Sequence, residues 1–206
     1  IKKGIADAAK SDKPLFMYAH FLPPHWPYRP PAPFDSFYTK GDEVKMRKAW
    51  MVKSALDFGM IPPDNKDVYT YERRYFNNLR YGDYVVKVVL DELKAHGMYD
   101  DSIIIVTSDH GESFGEHNQF GHNTTVYEHM IKIPMTAKIP GTKHAVIKQQ
   151  VGLIDLFPTL VELMDLKIEP TQFHGRSLAK VFATGEDAEM DNYYYDDATK
   201  MYRNIS

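Results

Sequence analysis

The stretch Ser102–Glu128, SIIIVTSDHGESFGEHNQFGHNTTVYE, decides the fold. Its opening Ile103-Ile104-Ile105-Val106 is an unbroken β-branched run, the pattern of a strand buried on both faces. The run stops abruptly in Thr107, Ser108, Asp109, His110, Gly111 and Glu112. A buried strand of this kind delivers its last residues to the carboxyl edge of a sheet, where α/β proteins gather their ligands. A carboxylate beside an imidazole at that edge is a metal-binding or substrate-binding pair, so Asp109 and His110 are the first candidates.

Upstream, Tyr75, Leu79, Gly82, Val86, Val89 and Leu93 recur at alternating steps of four and three, which predicts one long amphipathic helix within Tyr69–His96. Gly97 is its stop, and Met98 to Asp101 make a short return into the central strand. Helix, turn and buried strand together predict a layered α/β sheet. Leu15–Phe21 predicts a second buried strand, which breaks into a proline-stiffened loop, Pro23 to Pro31, carrying His25. Nearer the N-terminus, Ile1–Lys10 reads as the end of a helix. Asp42–Met51 reads as a short helix and Phe58–Asn65 as a loop.

Downstream, the polar loop with Gly111, Gly115 and Gly121 is expected to lie over the strand ends and to bring His122 back toward the edge that bears His110. Histidine at such an edge can donate to an anionic oxygen, transfer a proton near neutral pH, or bind metal. His25, His110 and His122 stand out from the nine histidines because each follows a strand of one layer. Ile131–Lys138 predicts a further strand. Asp155 is expected to cap a helix that tolerates Pro158 in its first turn, and Ser177–Ala183 to form a short helix ending near Gly185. The acidic, tyrosine-rich tail, Glu186–Ser206, reads as the start of a small subdomain. Its strand, Lys200 to Arg203, is followed by nothing that could pair with it.

With 206 residues, 43% hydrophobic and 26% charged, the chain can build one sizeable core. A net charge of -3 without blocks of like charge argues against a nucleic-acid or membrane-surface binder. An anionic substrate would need local positive charge. The chain has no cysteine, which excludes disulfides.

Several segments, in order, carry a resemblance: Lys13-Pro14-Leu15-Phe16 through His25-Trp26-Pro27-Tyr28, then Ser108-Asp109-His110-Gly111-Glu112, and Gly121-His122 with Val126-Tyr127-Glu128 and Ile133-Pro134. Asp155-Leu156-Phe157-Pro158-Thr159-Leu160 and Gly175-Arg176-Ser177-Leu178 complete it. Together they resemble the sulfatase family of the alkaline phosphatase superfamily. The resemblance implies an α/β sandwich with a mostly parallel central sheet between helices, present here incompletely. It also implies hydrolysis of sulfate or related phosphate and phosphonate esters at a divalent cation. Residues 1–185 then form the C-terminal part of a catalytic domain and residues 186–206 begin a small subdomain.

By the same resemblance Asp109 and His110 are metal ligands, for one divalent ion: manganese or calcium, with zinc as a further option. Asp-His in place of the Asp-Asn of many sulfatases is more like the phosphonate and phosphodiester hydrolases and the phosphoethanolamine transferases, and imidazole favours manganese or zinc over calcium. His122 falls where sulfatases usually carry a lysine touching substrate and nucleophile. His25 matches the loop histidine that contacts the anionic group or protonates the leaving oxygen. The family's nucleophile, a formylglycine made in a Cys- or Ser-x-Pro-x-Arg motif, has no counterpart in these residues, nor has its early Asp-Asp pair. The expectation is therefore an interior or C-terminal slice of a longer enzyme, inactive alone, acting on a small anionic ester. A phosphoethanolamine or phosphoglycerol transferase and a catalytically dead binding domain are the alternatives.

Overall fold

The structure, a computed structural model, describes residues 1–39, 47–122, 125–168, 173–185, 193–195 and 201–203. In chain order the elements are helices α1 (Lys2–Ala8), α2 (Arg47–Asp57) and α3 (Lys66–Ala95), then strands β1 (Ile104–Thr107), β2 (Ser113–Phe114) and β3 (Phe120–Gly121). Helix α4 (Glu128–Ile131), strand β4 (Met135–Lys138), helices α5 (Leu156–Leu163) and α6 (Ala179–Thr184), and strands β5 (Tyr193–Tyr195) and β6 (Met201–Arg203) follow. These elements fall into two compact units: one of residues 1–101 and 112–123, the other of residues 102–111 and 124–206.

The first unit is organised by α3, the long helix the periodicity predicts. Asn65 caps it, its side-chain oxygen accepting from the Asp67 N–H at 2.9 Å, and Gly97 in the left-handed region (φ 67°) ends it. Its core is Val68 and Tyr71 from α3, Val52 and Leu56 from α2, Phe120 from β3, and Tyr28 from the proline-rich loop. The stripe facing this core differs from the expected one. Leu79 is exposed, while the polar pair Asn77 and Asn78 is buried. The two asparagines replace apolar packing by holding the loop. Asn77 Nδ2 donates to the Asp35 carbonyl (2.9 Å) and Thr39 Oγ1 (3.0 Å), and its Oδ1 accepts from the Tyr38 N–H (2.9 Å). Asn78 Nδ2 donates to the Pro24 and His25 carbonyls, each at 3.3 Å. Loop backbone polar groups buried against a helix need such partners.

The predicted strand at Leu15–Phe21 is not a strand. Among the described residues it has no ladder partner, and Phe16 and Tyr18 are 74% and 81% exposed. A strand exists through its pairing, so the apolar pattern alone does not make one. Of the helix expected at Asp42–Met51, residues 42–46 lie outside the described residues; the chain is helical from Arg47.

In the second unit β1 pairs antiparallel with β4, from Ile104 opposite Lys138 to Thr107 opposite Met135. The strand expected over Ile131–Lys138 is thus shorter: Ile131 closes α4, Lys132 to Pro134 are irregular, and the strand begins at Met135. Every ladder among the described residues is antiparallel, so the parallel pairings of the expected central sheet are not among them. With β4 as its only neighbour there, β1 is half-buried at Ile104 and Ile105 and exposed at Val106 and Thr107, not covered on both faces. β5 pairs with β6, so the tail strand does find a partner, Tyr193–Tyr195, upstream in the tail.

Asp155 stands before α5 as expected, but its carboxylate does not cap that helix. Fully buried, it accepts from the N–H groups of Gly152 (2.9 Å) and Arg176 (3.0 Å). Thr159 extends the link, donating to the Asp155 carbonyl at 2.5 Å and accepting from the Leu178 N–H at 2.8 Å. The DLFPTL and GRSL segments are therefore one buried hydrogen-bonded joint. Gly175 makes it possible, since a Cβ there would lie 2.0 Å from the Ile154 carbonyl oxygen.

Candidate active site

Asp109 and His110 follow β1 in the second unit. The Asp109 carboxylate accepts the His110 N–H at 3.0 Å and lies 3.9 Å from His110 Nε2, so its oxygen and the imidazole nitrogen are close enough to share one ion. His110 Nδ1 contacts the Gly111 carbonyl oxygen at 2.7 Å. A carbonyl only accepts, so Nδ1 carries the hydrogen and the neutral ring keeps its lone pair on Nε2. Metal-binding histidines are oriented in this way by carbonyls and carboxylates. The donor types suit a divalent ion of the manganese or zinc kind. Two donors do not complete a shell, and among the described residues no group of three or more His, Asp or Glu assembles.

Gly111 fixes the turn after this pair. Its N–H donates to the Met130 carbonyl at 2.7 Å, and a Cβ at this position would lie 1.9 Å from the His129 carbonyl oxygen. No side chain fits.

His25 and His122 come together in the first unit, with ring centroids 4.9 Å apart and planes inclined at 55°. His25 Nδ1 lies 2.7 Å from the Trp26 carbonyl, which again assigns the hydrogen to Nδ1 and the lone pair to Nε2. His122 Nδ1 lies 3.2 Å from Glu112 Oε1, and the other oxygen of that carboxylate accepts from the Tyr28 hydroxyl at 2.9 Å. Tyr28 is 1% exposed; burial first, and the neighbouring Glu112 next, push its phenol far above the ordinary value. It stays protonated and donates.

All three candidate histidines thus set Nδ1 against a protein oxygen. Glu112, Tyr28 and Asn78 are the residues that sequence reasoning missed. Glu112 stood within the quoted motif, two residues after His110, with no role assigned. The available signal was its spacing from His122, ten residues across a glycine-bearing turn.

The chain has an alkaline phosphatase-like α/β fold, shared with the phosphonate monoester hydrolase of Silicibacter pomeroyi. That likeness has 28% identity and a TM-score of 0.65, covering 83% of this chain and 38% of that one. The sulfatase family model matches residues 1–166, and the chain belongs to that family. Among curated relatives, the arylsulfatase of Clostridium perfringens (strain 13 / Type A) is 26% identical over 179 residues, 81% of this chain and 37% of that protein. Lipoteichoic acid synthase 1 of Bacillus subtilis (strain 168) is 28% identical over 144 residues, 61% of this chain and 22% of that protein. The chain spans less than half the length of each of these relatives.

Proposed function

We propose that the protein takes part in metal-dependent hydrolysis of small anionic esters, sulfate esters foremost and phosphate or phosphonate esters as the related class. The observation that carries the reading is the pairing of His25 and His122, two imidazoles 4.9 Å apart with Nε2 as the acting nitrogen of each. Membership of the sulfatase family and likeness to a phosphonate monoester hydrolase support it.

Asp109 and His110 would hold part of a divalent ion's shell, which when bound supplies positive charge to the ester oxygens. The protein's own contribution is then a matter of protons and orientation. In the protonated state His25 and His122 donate from Nε2 to a tetrahedral oxyanion and neutralise its charge. One of them passes its proton to the leaving oxygen as the ester bond breaks and, once neutral, takes a proton from incoming water through the same nitrogen. We expect the nucleophile to be a formylglycine supplied from outside these residues.

The test is an assay of the intact protein against an aryl sulfate, a phosphonate monoester and a phosphodiester, before and after chelation and with manganese, calcium or zinc restored. Hydrolysis of at least one ester that is lost on chelation and regained with metal is expected; turnover indifferent to metal would sink the reading. A phosphoethanolamine or phosphoglycerol transferase is the second reading, favoured by the Asp109-His110 pair and the likeness to lipoteichoic acid synthase 1. Transfer of the group to an added alcohol in preference to water would select it.

A further inference from the structure

We propose that Glu112 is a positioning residue that sets the tautomer and ring orientation of His122, with Tyr28 as the anchor of its second oxygen. The consequence for turnover rests on the ester-hydrolysis reading; the geometry does not.

The hairpin of β2 and β3 supplies the first argument. Its register places Phe114 opposite Phe120 and Ser113 opposite Gly121. Continued by one residue, the same register sets Glu112 opposite His122, and alternation puts both on the face that carries Phe114 and Phe120. That face is the one Tyr28 covers, its ring 5.7 Å from Phe114 and 5.9 Å from Tyr75. The aromatic packing locks the phenol, and the phenol holds Oε2. Oε1 is left in one orientation, 3.2 Å from His122 Nδ1.

A carboxylate oxygen only accepts, so the opposite tautomer would set two lone pairs against each other. Nδ1–H is therefore selected and the lone pair sits on Nε2. His25 lies against the other imidazole, its backbone carbonyl held by Asn78, so the ring cannot turn without disturbing the pair. The Glu112 side chain is 6% exposed, too enclosed for water to replace it as the partner of Nδ1.

The experiment reads the imidazole nitrogens of His122 by long-range proton–nitrogen NMR in the intact, nitrogen-15-labelled protein, alongside steady-state kinetics. In the parent protein a single neutral form with hydrogen on Nδ1 is expected. Glu112→Gln keeps an acceptor at the same reach and should retain that form, with kcat within about threefold. Glu112→Leu removes the acceptor. It should give a mixture of tautomers and lower kcat about 10- to 100-fold with KM nearly constant, the range typical of residues that orient a functional imidazole. Where Leu unfolds the hairpin, Glu112→Asp withdraws the acceptor by one methylene and should mix the tautomers too. A single Nδ1–H form surviving in the Leu or Asp variant overturns the proposal. Absence of ester turnover in the parent protein refutes the hydrolase reading alone, because the nitrogen signals need no turnover.

Discussion

His25 and His122 both engage Nδ1, for different reasons: one ring is turned by a carbonyl of its own loop, the other by a carboxylate across a hairpin. Replacing either by alanine should therefore cost activity far more than stability. Both residues count as exposed and neither belongs to the apolar core, so the urea midpoint should shift by less than about 0.5 kcal/mol equivalent. Each variant should lose about 10²- to 10⁴-fold in kcat on an ester substrate. Asp109→Ala and His110→Ala should instead lower metal content, read by elemental analysis after dialysis against manganese or zinc. Equal metal in parent and variants would remove both residues from the shell. Asp109, His110 and His25 became candidates in the sequence because each follows an apolar run that ends abruptly, and His122 because a polar, glycine-bearing loop could carry it back. Glu112 did not, because a glutamate after a glycine looks like a solvated loop charge until its cross-strand partner is known.

At the scale of elements, the proline-rich loop is aimed by α3, and buried polar contacts do the aiming. Asn78→Leu removes the donor to the Pro24 and His25 carbonyls and leaves both acceptors unmet. A loss of about 1–3 kcal/mol in urea unfolding is expected, with kcat reduced even though no catalytic group has changed. The existence and ends of α3 were readable from Asn65, the four-three periodicity and Gly97. Its buried face was not, since asparagine is ordinarily a surface residue and only the loop's unmet backbone groups explain its burial. The strand pattern at Leu15–Phe21 misled for a related reason: apolar residues announce burial, whereas pairing depends on neighbours that the segment itself does not encode. Gly111→Ala is the sharpest steric test. The methyl would meet the His129 carbonyl, so the turn after His110 must shift; a melting temperature lowered by several degrees with weakened metal binding is expected.

For the molecule as a whole, the first unit's core is rich in phenols. Tyr28, Tyr71 and Tyr75 all have their ionisation pushed up, chiefly by burial; Glu112 adds to the effect at Tyr28 and Tyr75, and Asp67 at Tyr71. The sign follows from proton binding. Above the ordinary phenol value of about 10 the unfolded chain releases protons that the folded chain retains, so stability present below that pH is lost as pH rises. Urea midpoints measured from pH 8 to 11 should be level at first and then fall. Tyr28→Phe should flatten the fall by about 1.4 kcal/mol per pH unit, one proton's worth. An unchanged slope would mean that this phenol ionises as freely folded as unfolded. The hairpin that carries Glu112 and His122 imposes a different kind of constraint. Between Phe114 and Phe120 the chain turns through Gly115, His117 and Asn118, all at positive φ. Strand faces alternate residue by residue, so the parity of that turn decides whether position 122 meets position 112 or looks away from it. Inserting or deleting a single residue there would change no chemical group, yet it would disconnect an imidazole from its carboxylate. In this protein a reading-frame-preserving indel of one codon in a surface turn would undo that contact as surely as replacing the glutamate itself.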